Sequence, residues 1–162
     1  MTLVAGGLSA FDRELPRKRM AAGVLLFDTR GRLLVVRPVY KDYWDVPGGV
    51  VELNESPREA ARRELREELA LGRVPGLLLC VDWVPPRPDR SEGLITIFDG
   101  GLLEQEEISG IHLQAEELAS SEFVDVASAR KLLSPLLSRR VEACCAARVT
   151  GRTVYLEDGV LV

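Results

Sequence analysis

With 162 residues, 46% hydrophobic and 28% charged, and a net charge of −4, the chain has the composition of one soluble globular domain with a real core. The charge forms no strong patch of either sign, which argues against a dedicated nucleic-acid surface of the basic-stripe kind. No apolar run approaches the ~20 residues of a membrane span.

Residues 1–19 are poorly patterned and read as an irregular arm, with Arg17-Lys18-Arg19 a solvated lead-in to the first strand. The charges from Asp12 to Arg19 follow the mildly apolar stretch instead of preceding it, unlike a signal peptide. Residues 20–162 read as a single domain without repeat, low-complexity segment or linker. Cys80, Cys144 and Cys145 form no C-x-x-C and no disulfide framework, which suits a reducing compartment; a cytoplasmic protein is expected.

Met20 to Phe27 reads as a buried strand, Asp28 to Gly31 as a turn, and Leu33 to Val36 as the returning strand of a hairpin. Pro38 to Asp45 is a loop holding Tyr40, Tyr43 and Trp44. Val46 to Leu53 contains Pro47-Gly48-Gly49 and then alternates. Ser56 is a good N-cap, Pro57 suits the first helical position, and Glu59 completes an S-x-x-E capping box, so a helix is predicted from Pro57 to Leu71. Leu77 to Val84 and Glu92 to Phe98 read as strands, the latter closed by Asp99-Gly100-Gly101. Ser109 to Leu113 reads as a further strand, Ala115 to Ser121 as acidic loop or short helix, and Glu122 to Val124 as a short strand. A second helix is expected from Asp125 to about Leu137, bent at Pro135, with more helix over Arg139 to Ala147 and a terminal strand over Thr153 to Leu156. Strands on both sides of a central helix suit an α+β layered domain.

The helix after Ser56 carries the chemistry. Ala61, Leu65 and Leu69 recur at i, i+4, i+8 and make a core stripe. Glu64, Glu67 and Glu68 share another face. Clustered carboxylates repel, and a hard divalent cation relieves them better than neighbouring arginines do. Glu59 and Arg63 form a well-oriented i, i+4 pair. Glu55 reaches the same region from the loop before the cap.

Read together, Gly49, Glu55, Arg63, Glu64, Leu65, Glu67, Glu68 and Leu71 meet the pattern G-x5-E-x7-R-E-U-x-E-E-x-G-U at every specified position but one. Ala70 stands where the pattern has its last glycine, and Gly72 is expected to cap a slightly longer helix in its place. The segment resembles the Nudix box. The resemblance implies the Nudix fold, an α/β/α sandwich around a mixed central sheet. It implies hydrolysis of a diphosphate bond in a nucleoside diphosphate linked to another moiety, by water attack at phosphorus, with Mg²⁺ as cofactor and Mn²⁺ as a substitute. It further implies Glu55, Glu64, Glu67 and Glu68 as metal ligands, Arg63 as the residue orienting them, and Gly48 and Gly49 as the loop shaping the site. The general base is either a box glutamate or an acid from a distant loop, here Glu117 or its neighbour Glu116.

Arg37 and Trp44 join Gly48 and Gly49 as expected substrate contacts, whereas Arg87, Arg90, Trp83 and Phe98 read more simply as surface or core residues. His112, the only histidine, reads as structural. The implied partner is a small nucleotide-type molecule, with no nucleic acid and no membrane; homodimers are common in the family. A non-catalytic Nudix module that senses a nucleotide is the rival reading, and retention of all four box glutamates counts against it. An isomerase on the same fold would want a cysteine near the site.

Overall fold

The computed structural model describes residues 7–162. In chain order the elements are α1 (Ala10–Glu14), β1 (Arg19–Asp28), β2 (Leu33–Pro38), β3 (Gly48–Val50), α2 (Pro57–Leu69), β4 (Leu78–Val84) and β5 (Gly93–Leu103), then α3 (Gln105–Ser109), β6 (Leu118–Val124), α4 (Val126–Ala129), α5 (Pro135–Thr150), β7 (Val154–Glu157) and β8 (Val160–Leu161).

The strands form one sheet in the order β6-β2-β1-β5-β4-β7-β8, with β3 paired to β1. The β1–β5 and β4–β7 pairs are parallel and the others antiparallel, so the sheet is mixed. Side chains alternate across a strand, and β1 uses both faces. Ala22, Val24 and Leu26 join Ala60, Ala61, Leu65 and Leu69 of α2 in one apolar layer. Leu25 and Phe27 join Leu137, Val141 and Cys144 of α5 in the other. A strand covered on both faces reads as an unbroken apolar run, as MAAGVLLF does. The result is the α/β/α sandwich with a mixed sheet that the box resemblance implied. Leu65 and Leu69 are fully buried, and truncating either to alanine would cost roughly 2–5 kcal/mol.

Several elements differ from the sequence expectation. The arm is not wholly irregular: Ser9 accepts from the Asp12 N–H and starts the short helix α1, while the first six residues of the expected arm lie outside the described residues. Strand β5 does not stop at Asp99-Gly100-Gly101. Leu25 pairs with Asp99 and Leu26 with Gly101, so Gly100 is the extra residue of a bulge and the strand continues to Leu103. The segment expected as a strand over Ser109–Leu113 is the end of α3 and a loop, because Glu104 opens a capping box with Glu107. The expected helix from Asp125 to Leu137 is two helices. Ser134 accepts from the Leu137 N–H and Pro135 takes the first position of α5, so the proline begins a helix and does not bend one. Strand β6 starts at Leu118, four residues earlier than the short strand expected at Glu122.

Helix α2 ends at Leu69, with Ala70 itself the left-handed cap at φ 56°. The expectation that Gly72 takes over is therefore corrected. The Ala70 N–H bonds the Arg66 carbonyl and the Leu71 N–H the Leu65 carbonyl, and these two bonds hold alanine in a conformation it disfavours.

Candidate active site

The start of α2 follows its sequence signal: the Ser56 hydroxyl accepts from the Glu59 N–H at 3.2 Å. Glu59 lies 4.0 Å from Arg62 and not against Arg63, so the expected Glu59–Arg63 pair is corrected. Arg63 points the other way, into the box. Its Nε and Nη2 donate to the two oxygens of Glu55 at 2.8 and 3.0 Å. Its Nη1 donates to Glu64 at 2.8 Å and to Glu67 at 3.0 Å, and Nη2 also reaches the Val50 carbonyl at 3.0 Å. One planar guanidinium thus holds three of the four box glutamates and the end of β3. The pairing with Glu55, first among its effects, raises the pKa of Arg63, and the same contact holds the Glu55 carboxyl below its usual range.

The glutamates differ in burial. Glu67 is half exposed at 52% of its side chain, whereas residues Glu64 and Glu68 are 9% and 6% exposed. Burial is the main cause of a raised pKa for both, and Glu68 is pushed up to about 8. The Gly48 N–H donates to Glu68 Oε2 at 3.0 Å, which partly offsets the loss of water.

The glycine loop fits these two acids closely. Strand β3 lies on β1 with Gly23 opposite Gly48 and Ala22 opposite Gly49. A Cβ at Gly48 would fall 2.3 Å from the Ala22 carbonyl oxygen, and φ there is +151°. A Cβ at Gly49 would fall 2.2 Å from Glu64 Oε1. Glycine is required at one position by backbone and at the other by a carboxylate.

Among the described residues, no three acidic, histidine or cysteine side chains already surround a common point as metal ligands do. Arg63 occupies the negative charge of Glu55, Glu64 and Glu67. The donor set nevertheless suits a hard divalent cation. Glu64 and Glu68 are carboxylates whose pKa values burial raises, Glu68 without a cationic partner among the described residues, and Glu67 adds an accessible third.

A second loop docks on the end of α2. The His112 N–H bonds the Leu69 carbonyl at 3.0 Å and the Gln114 N–H bonds the Glu68 carbonyl at 3.1 Å. The turn that follows, with the Glu117 and Leu118 N–H groups both on the Gln114 carbonyl, brings the Glu117 charge close enough to help raise the pKa of Glu64 and of Glu68. Asp45 also contributes to the raised pKa of Glu68, a proximity that sequence reading missed.

Gly48, Gly49 and Asp45 open onto a cleft of about 430 Å³ on the α5 side of the sheet, with Ala21, Gly23 and Ile97 among its floor. Tyr40 stands at its rim, 72% exposed. Two expected substrate contacts lie elsewhere. Trp44 packs against the apolar layer under α5 and donates its backbone N–H to the Leu132 carbonyl. Arg37 lines a separate surface hollow with Tyr40 and Asp42. Sequence reading took Arg19 as part of a solvated lead-in, set Arg90 aside as a surface residue and passed over Arg140, yet all three line the cleft. Among the described residues, no helix is long and apolar enough to cross a membrane.

A NUDIX domain model matches residues 17–143. An RNA pyrophosphohydrolase from Halorhodospira halophila is 46% identical over 54 residues, 33% of this chain and 30% of the relative. Another from Gluconacetobacter diazotrophicus is 34% identical over 80 residues, 44% of this chain and 47% of the relative. The chain thus matches less than half the length of these curated relatives. A MutT protein from Methanosarcina mazei Go1 has the same fold, with a TM-score of 0.67 at 21% identity, covering 86% of this chain and 100% of that one. With the domain match spanning most of its length, the chain belongs to the NUDIX family.

Proposed function

We propose that the protein hydrolyses a diphosphate bond in a nucleoside diphosphate linked to another moiety, with Mg²⁺ held by box glutamates. The observation that carries this reading is the joining of two buried, desolvated carboxylates, Glu64 and Glu68, to a glycine loop that opens on a cleft. Glu64, Glu67 and Glu68 are the ligands we assign, with Glu55 supporting them through Arg63. A bound divalent cation would neutralise phosphate charge and lower the pKa of a coordinated water.

The chain's own residues do the positioning. Arg63 fixes the carboxylates, and its fork geometry suits that task better than a lysine would. Gly48 and Gly49 let backbone approach the phosphates without a Cβ between them. Glu117, beside the box but held on a separate loop, is the acid–base group we assign to the attacking water, in preference to Glu116. Phosphoryl transfer asks mainly for positioning and charge stabilisation, so no protein nucleophile is needed.

The relatives named RNA pyrophosphohydrolases act on RNA by their printed name, and their similarity supports the reaction class more than the substrate. The test is phosphate release with Mg²⁺ across nucleoside triphosphates, ADP-ribose, nucleotide sugars, dinucleoside polyphosphates and 5′-triphosphorylated RNA. Each assay is coupled to a phosphatase and repeated in EDTA, with Glu117→Gln and Glu116→Gln alongside. Turnover that EDTA stops and Glu117→Gln slows supports the assignment. Absence of turnover on every substrate overturns it.

A further inference from the structure

Three arginines from three parts of the chain meet at the end of the cleft away from the glutamates. Arg19 begins β1, Arg90 lies in the loop before β5, and Arg140 is on α5. On the cleft face of β1, Arg19, Ala21 and Gly23 follow one another at every second residue, and Gly23 is the partner of Gly48. The arginine end and the box end are therefore separated by four strand residues, roughly 13 Å. Between them the floor is small or apolar, formed by Ala21 and Gly23 and by Ile95 and Ile97 of the parallel neighbour β5.

The cluster is built, and its charge is not cancelled. Arg140 is 7% exposed, and its Nε donates to Asp82 Oδ2 at 2.7 Å. Asp82 is fully buried and its other oxygen accepts from the Gly159 N–H at 3.0 Å. A buried pair of this kind is a poor way to gain stability alone. Here it fixes the arginine at the wall of the cleft, which Arg140 lines. Arg19 is anchored by its Nε to the Ser91 carbonyl at 3.0 Å, and it feels the charges of both Arg90 and Arg140. Arg90 has no side-chain partner among the described residues. The nearby acid Glu92 is engaged elsewhere, held by Lys18 at 2.5 Å and by the Trp83 ring N–H at 2.7 Å. Among the described residues only Arg140 of the three has an acidic partner, Asp82, and like charges so placed repel until an anion joins them.

We propose that Arg19, Arg90 and Arg140 form a second anion subsite, which takes a phosphate on the far side of the nucleoside whose diphosphate lies at the box. The nucleoside then spans the apolar floor, and forked guanidinium groups suit phosphate oxygens. This rests on the hydrolase reading of the box and narrows its substrate to nucleotides with two separated anionic groups. The far phosphate is either a terminal monoester or the first phosphodiester of an oligonucleotide.

The test is calorimetric binding in Mg²⁺ of α,β-methylene ADP, which has no hydrolysable bridge, with and without a 3′-phosphate. Wild-type protein is expected to bind the 3′-phosphorylated form about tenfold tighter or more, as one charge-assisted contact would give. Arg90→Ala should bring the two ligands near parity, and Arg90→Lys should keep part of the preference. Arg90 is exposed, so these variants leave the buried Asp82–Arg140 pair and the fold intact. Equal affinities in the wild type, or an undiminished preference in Arg90→Ala, overturn the proposal. A third ligand, with the 3′-phosphate esterified to a second nucleoside, separates the sources: preference kept points to an oligonucleotide, preference lost to a terminal phosphate. Preference without turnover on any substrate sinks only the hydrolase reading, and turnover without preference sinks only the subsite.

Discussion

Arg63 and Glu55 meet through two parallel hydrogen bonds, Nε to Oε1 at 2.8 Å and Nη2 to Oε2 at 3.0 Å, although they lie eight positions apart. The same guanidinium then reaches Glu64 and Glu67. It therefore locks the loop before α2 to the acids on the helix. Arg63→Ala should lower Mg²⁺-dependent turnover by roughly 10- to 100-fold, the usual effect of losing a residue that orients metal ligands. Arg63→Lys should recover little, because an ammonium cannot hold both oxygens of Glu55 in one plane. Steady-state rates with a Mg²⁺ titration check this, and a wild-type rate in Arg63→Ala would contradict it.

The two box glycines should fail in different ways. An alanine at Gly48 would drive its Cβ into the backbone oxygen of Ala22, so Gly48→Ala should lower Tm markedly and cost activity through the fold. An alanine at Gly49 meets the end of the Glu64 side chain, which can swing aside. Gly49→Ala should therefore melt near the wild type yet lose most of its Mg²⁺-dependent activity. Thermal melts set beside rates distinguish the two, and equal losses of Tm in both variants would count against this reading.

Ala70 makes a prediction about stability alone. A left-handed alanine at φ 56° costs about 1 kcal/mol relative to glycine. Ala70→Gly should raise Tm by roughly 2–4 °C, the shift expected for a chain of this size. Its turnover should stay unchanged, since the assigned ligands lie upstream. A fall in Tm would show that the cap is not strained.

The Arg73–Glu107 pair offers a pH test away from the site. Arg73 donates to both oxygens of Glu107 and also to the Gly100 carbonyl in the β5 bulge. Hydrogen bonding from Arg73, the largest cause, lowers the Glu107 pKa below 4.5. A carboxyl with a lowered folded-state pKa stabilises above its unfolded value, and that stability is lost as pH falls through the folded one. Unfolding free energies measured from pH 7 down to pH 3 should decline less steeply in Glu107→Gln than in the wild type. Parallel slopes would show that the pair contributes nothing measurable.

Local signals were legible where chemistry and neighbours agree. The Ser56 cap, the Ala61–Leu65–Leu69 stripe and the shared acidic face could be read because each depends on residues within two turns. The box spacing likewise placed Arg63 within reach of Glu55, Glu64 and Glu67. What was not legible depends on distant partners. Arg140 faces the cleft because Asp82, 58 positions away, holds it there, and an isolated arginine on a helix gives no such sign. Trp44 precedes the glycine loop and reads as a stacking residue, yet it is partly buried against the layer under α5, through neighbours far away in sequence. Ala70 broke a local rule, and carbonyls from the helix it ends kept it in place. Ser109 to Leu113 alternates enough to resemble a strand, but Glu104 and Glu107 cap one another and start a helix first.

The most direct test of the central claim is the paired rate of wild type and Glu68→Gln on whichever panel substrate turns over, at saturating Mg²⁺, with circular dichroism on both. Glu68 is 6% exposed and amide replaces carboxylate almost isosterically, so the fold should persist while turnover falls to near background. A Glu68→Gln variant that folds and keeps its rate would remove the box carboxylates from the reaction and contradict the account.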